Sequence, residues 1–427
     1  MQHAVPRAPT TDIRWLTLFC LARAGFSFIF TIYSAALPLL RIDWQMSAAR
    51  AGMVQSAWHV GYMISLFGVG FLCDRFGAKR TYMWSAVAAS IAALVFALFS
   101  SGFWSGLMLY GLAGLCSGGS YTPGLTIIAE RFPPSTRGRA MGFYLAASSL
   151  GYALSIMLAS RLFPLGGWRL AILVTCTMPA VGLAISLLAL RNTPNIVHAG
   201  ARNKAMRTAI PAVLRNRPAL LSMLAYTFHC WELLGMWAWL PAFLAAAAQS
   251  APGQNAPETA IELGVLLSGL TYFTSMLGSL IGGDLSDRWG RTRTLLLFSC
   301  ISIGFSFTFG WMAGWPLSVL FMIAACYNLS SIADSSIYST ALTELVEPPL
   351  IGAAYAVRSV MGFGAGAISP WVFGLVLDLV RATPNSSETL AWGLAWVSLG
   401  LGALLAPIMN WRLRGRPEAF RMARGLR

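Results

Sequence analysis

Residues 70–80 read Gly-Phe-Leu-Cys-Asp-Arg-Phe-Gly-Ala-Lys-Arg and lie where one long apolar run stops and the next begins. The same pattern of Gly, three residues, Asp-Arg, one residue and Gly, followed by basic residues, returns in residues 283–293. The offset from Gly70 to Gly283 is 213 residues, which is close to half of the 427-residue chain. The spacing predicts two copies of one unit, each carrying this stretch, here called the anchor loop, at the same place.

The chain is too apolar for a soluble protein. It is 57% hydrophobic and 11% charged, with a mean hydropathy of +0.65, whereas soluble domains carry about 25% charged residues. The net charge of +15 comes mainly from arginines in short loops on one side, which is typical of a membrane protein and not of a nucleic-acid-binding surface. The excess of arginine over lysine indicates a bacterial source. We therefore predict a multi-pass protein of the bacterial inner membrane, surrounded by lipid bilayer and with no nucleic-acid partner.

Twelve apolar segments are each long enough to cross the hydrocarbon layer of about 30 Å as a helix. They fall at residues 15–40, 50–73, 81–100, 103–130, 138–161, 168–190, 219–247, 261–286, 294–312, 316–343, 350–380 and 389–411. The basic loops place both termini on the cytoplasmic side. The predicted order is a cytoplasmic tail, a six-helix bundle, a cytoplasmic linker, a second six-helix bundle and a second tail, at residues 1–14, 15–191, 192–218, 219–411 and 412–427.

The anchor loop resembles the signature between the second and third helices of the major facilitator superfamily of secondary transporters. The resemblance implies an all-α fold of twelve transmembrane helices in two pseudo-symmetric bundles, with substrate held between them. Within the loop, Gly70 is expected to let two helices approach closely and Gly77 to permit a tight turn. The seven cysteines are scattered singly without metal-ligand spacing, and we expect neither a metal nor another cofactor.

The resemblance also implies an ionic gate on the cytoplasmic face. In the family, the anchor loop links to an acid that ends the fourth span and an arginine that opens the fifth. The gate residues would be Asp74, Arg75, Glu130 and Arg139 in the first half, with Asp287 and Arg288 in the second. The second half has Ala353 where Arg139 would correspond, so a complete second gate is in doubt.

Charged side chains inside a span are costly, so each is expected to have a function or a partner. Away from the ends of the predicted spans, these are Arg23, Glu232, Asp334 and Arg358. At ~1.5 Å per residue from the cytoplasmic end, three of them fall in one layer at a depth of about 12–15 Å, and Glu232 lies slightly deeper. His59 and His229 add two groups that titrate near neutral pH.

We interpret Arg23 and Arg358 as holding an anionic group of the substrate from opposite halves, because the guanidinium fork matches a carboxylate or oxyanion. The other substrate-binding candidates are Tyr33, Tyr121, Tyr355 and His59, and the proton-coupling candidates are Glu232, Asp334 and His229. Two alternatives stay open for the arginines. Arg358 could pair only with Asp334, and Arg23 could pair with Glu232 or Asp334 across the cavity. Each histidine could equally be a satisfied core residue.

These residues predict a transporter that takes up a small organic or inorganic anion by proton symport and acts as a monomer. The alternative is efflux of a hydrophobic or cationic compound by proton antiport, with Glu232 and Asp334 as binding acids. Drug exporters of the family usually carry an arginine in the fourth span and a Gly-Pro pair in the fifth. Tyr110 and Ser155-Ile156 stand there instead, which favours uptake or facilitated exchange over drug efflux. An enzyme is not expected, because neither Gly-x-Ser-x-Gly nor His-Glu-x-x-His occurs.

Overall fold

The computed structural model describes residues 9–197, 202–250, 257–347 and 350–426, and within these ranges it is helical and contains no strand. The first eight residues of the predicted tail and residues 198–201 of the predicted linker lie outside them. The helices are α1 (Pro9–Asp43), α2 (Ala48–Phe76), α3 (Ala78–Phe99), α4 (Phe103–Ser117), α5 (Thr122–Arg131), α6 (Pro134–Leu190), α7 (Arg202–Arg215), α8 (Arg217–Gln249), α9 (Pro257–Trp289), α10 (Arg291–Thr308), α11 (Leu317–Ala333), α12 (Ser335–Leu345), α13 (Ile351–Arg381), α14 (Glu388–Ala403) and α15 (Leu405–Arg414).

Ten helical stretches among the described residues are long and apolar enough to cross a membrane. One of them, α6, covers two predicted spans. The chain leaves helical geometry between these spans, at Gly166 and Gly167, so α6 consists of two crossings. A further predicted span is divided between α4 and α5 by a 3-10 turn at Gly118–Ser120, so neither piece reaches spanning length alone. These two features account for the twelve crossings and confirm the predicted fold.

Helix ends follow the local chemistry of the chain. The anchor-loop glycines Gly77 and Gly290 have φ of 86° and 99°, a left-handed conformation that glycine adopts without a Cβ clash, so the tight turn is confirmed in both copies. The side chains of Ser47 and Asn216 cap α2 and α8 by accepting hydrogen bonds from backbone N–H groups. The close helix approach expected at Gly70 is wrong for this structure, because a Cβ there would meet no heavy atom within 4 Å.

The two halves pack in a pseudo-symmetric way. α2 packs along α13 and α6 packs along α9. The 213-residue repeat makes α9 the copy of α2, and α13 the copy of the first part of α6, so the two contacts are equivalent. The predicted linker contains the helix α7.

The molecule has two ends, which we call the basic face, carrying both anchor loops, and the opposite face. Among pairs with both residues described, hydrogen bonds between the halves occur only at the opposite face. There the Asp378 carboxylate accepts hydrogen bonds from the backbone N–H groups of Ala48 and Ala49 (2.9 and 2.7 Å), and Arg161 pairs with Glu262 (2.9 Å). The halves are therefore fastened together at one end.

Candidate functional site

Arg23 is buried on α1 and is held by neutral groups. Its Nε donates to Ser148 Oγ (2.8 Å) and its Nη1 to Ser120 Oγ (2.5 Å). Ser120 ends the 3-10 turn between α4 and α5, so the interruption of the fourth span places this hydroxyl against the arginine. The guanidinium carbon lies over the rings of Tyr121 and Tyr144, at 5.6 and 5.7 Å from their centroids. No carboxylate of the described residues forms an ion pair with Arg23, so the alternative of a pair with Glu232 or Asp334 does not hold in this structure.

Arg358 is equally buried, on α13 in the second half. Its Nη1 donates to Ser339 Oγ (2.8 Å), and its guanidinium carbon lies over the rings of Tyr226 (4.4 Å) and Tyr355 (4.7 Å). The Tyr355 hydroxyl donates to the Ser339 carbonyl (3.0 Å), which fixes that ring. Among the described residues, Arg358 Nε is enclosed and has no hydrogen-bond partner. A buried N–H of a charged group without a partner is rare in folded proteins.

Tyr121 connects the two arginine sites. Besides its contact with Arg23, it lies in the same region as Tyr226 and Tyr355. These two rings are the ones that cover Arg358. Tyr121, Tyr226 and Tyr355 all stay partly exposed although they lie in the interior. The Arg23 site of the first half and the Arg358 site of the second half are therefore neighbours, with Tyr121 in the region between them.

Asp334 separates α11 from α12, at the same place where Ser120 separates α4 from α5 in the first half, with an offset of 214 residues. Its Oδ1 lies 2.9 Å from His229 Nδ1, a close contact without the alignment of a hydrogen bond, and both side chains are buried. His229 Nε2 lies 3.0 Å from Ser335 Oγ. Asp334 therefore pairs with His229, and the alternative that it pairs with Arg358 is wrong for this structure.

Glu232 lies deeper inside the second half. Its two carboxylate oxygens accept hydrogen bonds from Ser302 (3.0 Å) and Ser306 (2.7 Å) of α10, and Ser306 in turn contacts the Tyr327 hydroxyl (2.5 Å). His229 and Asp334 are close enough to act on it electrostatically. The structure thus brings the three proton-coupling candidates into one region, next to the Arg358 site but not in contact with the Arg23 site.

Tyr33 and His59 lie apart from the arginines. The Tyr33 hydroxyl donates to the Ala51 carbonyl (3.0 Å), and the ring is fully buried inside the first half. His59 is buried beside Phe30 and Trp58, and its Nε2 lies 3.5 Å from Gln55 Nε2. Neither side chain directly contacts Arg23 or Arg358, and their roles in substrate binding stay predictions.

On the basic face, the second half forms an ion-pair cluster around Arg291. This arginine pairs with Glu344 (3.0 Å), Asp287 and the Ser286 hydroxyl (2.7 Å). Arg288, named from the sequence, pairs instead with Asp284 at the surface (3.0 Å). Arg291 was missed because the repeat gives Ala78 at the corresponding place in the first half.

The first half has a different anchor-loop environment. Lys79 Nζ donates to the Thr193 carbonyl (2.7 Å), and the Asn195 amide donates to the Phe76 carbonyl (2.8 Å), so the start of the linker holds the loop. Arg75 and Arg139 lie over the neighbouring rings of Phe76 and Phe143, while Asp74 and Glu130 lie at the ends of α2 and α5. The predicted first gate stays a prediction.

Several residues of the site were not identified from the sequence. They are Ser120, Ser148 and Tyr62 beside Arg23, and Ser339 and Tyr226 beside Arg358. Tyr226 precedes His229 by three residues and so shares its helix face, and this spacing could have identified Tyr226 as a residue of the site. Serines at helix breaks carry no comparable signal, because the break itself was not predicted.

Known proteins resemble this chain over most of its length. The family model of the Major Facilitator Superfamily matches residues 19–370. A probable 4-methylmuconolactone transporter of Cupriavidus pinatubonensis is 27% identical over 64% of this chain, and the match covers 62% of that relative's length. A probable sulfoacetate transporter of Cupriavidus necator is 24% identical, with 88% of this chain and 89% of the relative covered.

Solved structures show the same fold. The chain matches a bacterial homologue of the human lysosomal transporter Spinster, in an inward-facing and unoccupied conformation, with a TM-score of 0.71 and 15% identity. That match covers 96% of this chain and 98% of the other. The nucleoside transporter NupG matches with a TM-score of 0.70 and 14% identity, over 95% of this chain and 99% of the other. The family match, the repeated anchor loop and the twelve crossings establish that the chain is a multi-pass membrane protein of the major facilitator superfamily of transporters.

Proposed function

We propose that this protein takes up a small anion together with protons, and that Arg23 and Arg358 bind the anion from opposite halves. The observation that carries the proposal is the pair of buried arginines flanking Tyr121, neither of which forms an ion pair with a carboxylate of the described residues. A buried cation without a counter-charge is strongly unfavourable. An anionic ligand supplies that charge and accepts a hydrogen bond from Arg358 Nε.

The coupling region would be the buried His229–Asp334 pair. A proton on this pair changes the charge close to Ser335 and the α11–α12 break, and so links protonation to the packing of the tenth span. Glu232 is the second candidate, enclosed by Ser302 and Ser306. Efflux of a cation is less well supported, because both acids already have close polar partners.

The orientation follows from the same proposal. The basic face would be cytoplasmic, with both termini there, in the inner membrane of a bacterium. The predicted bundles 15–191 and 219–411 would be the moving bodies of a monomer, and this structure would be the state open to the cytoplasm. Support for an anion comes also from the relative named as a probable sulfoacetate transporter, since sulfoacetate is an anion.

The test is uptake into proteoliposomes with an imposed pH gradient, using labelled acetate, benzoate, sulfoacetate and phosphate. We expect at least one of these anions to accumulate, and accumulation to be lost in Arg23→Gln and in Arg358→Gln. Arg169→Gln is the matched control. It removes an arginine that is exposed at the opposite face, where its Nη2 lies 3.6 Å from Oδ2 of the exposed Asp43. Uptake that survives both buried substitutions, or that needs no pH gradient, contradicts the proposal.

A further inference from the structure

Aromatic rings surround both arginines. Tyr226 and Tyr355 cover the guanidinium of Arg358, and Tyr121 and Tyr144 lie against that of Arg23. The donors of a guanidinium lie in its plane, so rings over its faces leave the edge as the place where a carboxylate binds. The unpartnered Nε of Arg358 is on that edge.

A second set of rings lies on the side of the arginine sites that is toward the opposite face. Phe30 and Tyr152 of the first half meet Trp237 and Tyr272 of the second, and we call these four residues the aromatic cluster. The centroid distances across the halves are 5.9 Å for Phe30–Trp237, 5.7 Å for Tyr152–Trp237 and 6.1 Å for Tyr152–Tyr272. Phe30 is seven residues beyond Arg23 on α1, which is about 10 Å along the helix. The cluster therefore joins the two halves roughly two helical turns from the arginine layer.

Trp237 is held in place by polar contacts behind it. Its indole N–H donates to Asn328 Oδ1 (3.0 Å), and the Asn328 amide donates to Thr271 Oγ1 (2.9 Å). All three side chains are buried in the second half. These hydrogen bonds within the second half set the orientation of the Trp237 ring. The rings of Phe30 and Tyr152, which contact it, belong to the first half.

From this geometry we infer that the substrate is a carboxylate conjugated to a planar, unsaturated ring. A carboxylate bound along the edge of the Arg358 guanidinium that carries Nε is coplanar with it, and a conjugated ring continues in that plane. The ring then extends toward the aromatic cluster, where offset or edge contacts with Trp237, Phe30 and Tyr152 are favourable. A small inorganic oxyanion would leave these rings without contacts. This inference rests on the proposed function and specifies its substrate class.

The experiment measures the dissociation constants of acetate, benzoate and cyclohexanecarboxylate by isothermal titration calorimetry on the purified full chain. Benzoate is expected to bind at least about tenfold more tightly than acetate, and more tightly than cyclohexanecarboxylate, which has similar apolar area but no planar ring. Trp237→Leu should weaken benzoate about tenfold and acetate by less than about threefold, with Trp237→Phe restoring most of the difference. A change in selectivity of this kind does not follow from a general loss of folding.

The outcomes separate this inference from the proposed function. Equal affinities of acetate and benzoate in the unchanged protein overturn the ring-carboxylate class and leave anion binding intact. Benzoate selectivity that is unchanged in Trp237→Leu overturns the role of the aromatic cluster. Failure of all three carboxylates and of sulfoacetate to bind overturns the proposed function itself.

Discussion

The opposite face and the basic face of this protein are held together in different ways. At the opposite face, the contacts join the two halves: Asp378 of α13 caps the start of α2, and Arg161 pairs with Glu262. At the basic face, the described contacts stay within a half or join a half to the linker: Arg291 pairs with Glu344, and Lys79 donates a hydrogen bond to the carbonyl of Thr193 in the linker. The repeat relates the two halves and not the two faces, so the contrast between the faces shows at which end the halves meet in this conformation.

Glycines along the interface helices show the same contrast. On α2, a Cβ at Gly52 would lie 2.2 Å from the Pro370 carbonyl oxygen, while a Cβ at Gly68 would meet no heavy atom within 4 Å. On α13, a Cβ at Gly374 would lie 2.2 Å from the Ala48 carbonyl oxygen. The backbones of the halves thus touch near the opposite face and not at the basic end of α2. A rocking motion of one half against the other exchanges these two arrangements.

The largest effect on the rate of transport is expected from adding a methyl group to α2 near the opposite face, where the halves are in contact. Gly52→Ala places a Cβ where the Pro370 carbonyl now lies, and overpacking of this kind costs about 1–3 kcal/mol. We expect the closed arrangement to be disfavoured and the initial rate of transport to fall by at least about tenfold. Gly68→Ala on the same helix is the matched control and should stay within about twofold of the unchanged protein. Similar rates for the two variants would show that close backbone contact does not matter for transport.

A smaller effect is expected from Asp378→Asn. The carboxylate now accepts two backbone hydrogen bonds from the start of α2, and hydrogen bonds to a charged group contribute about 1.5–3 kcal/mol. Loss of the charge should shift the population toward opening at the opposite face by about tenfold. The measurement is the rate at which Ala48→Cys, buried at this contact, reacts with a membrane-impermeant maleimide. Asp43→Asn, an exposed acid on the same face, should leave that rate unchanged, and an equal rise in both variants would refute the capping role.

The sequence determined much of the fold, because its signals were local or periodic. The repeat of the anchor loop located Gly77 and Gly290, whose positive φ values the structure confirms. Apolar length located the twelve crossings. Apolar length did not reveal that the fourth and tenth spans are interrupted beside Ser120 and Asp334, since an interrupted helix has the same apolar composition as a continuous one.

The partners of the buried charges could be predicted only in part. Depth along a span placed Arg23 and Arg358 in one layer, and in the structure both are buried and lie against tyrosine rings. Depth does not specify which way a side chain turns around its helix, so the pairing of Asp334 with His229 required coordinates. The same limit applies to Tyr33, whose hydroxyl turns toward the Ala51 carbonyl inside the first half.

The central claim is that one anion bridges Arg23 and Arg358 and thereby draws the two halves together at the basic face. The direct measurement is the spin-label distance between Gly138→Cys and Gly352→Cys, which are exposed at the basic ends of α6 and α13 and correspond in the repeat. The native cysteines are replaced by serine in this background, and benzoate is added to saturation. The account predicts that benzoate shortens this distance, and that it has no effect in Arg23→Gln or Arg358→Gln. A distance that stays constant while benzoate binds, or that shortens equally in both variants, would contradict it.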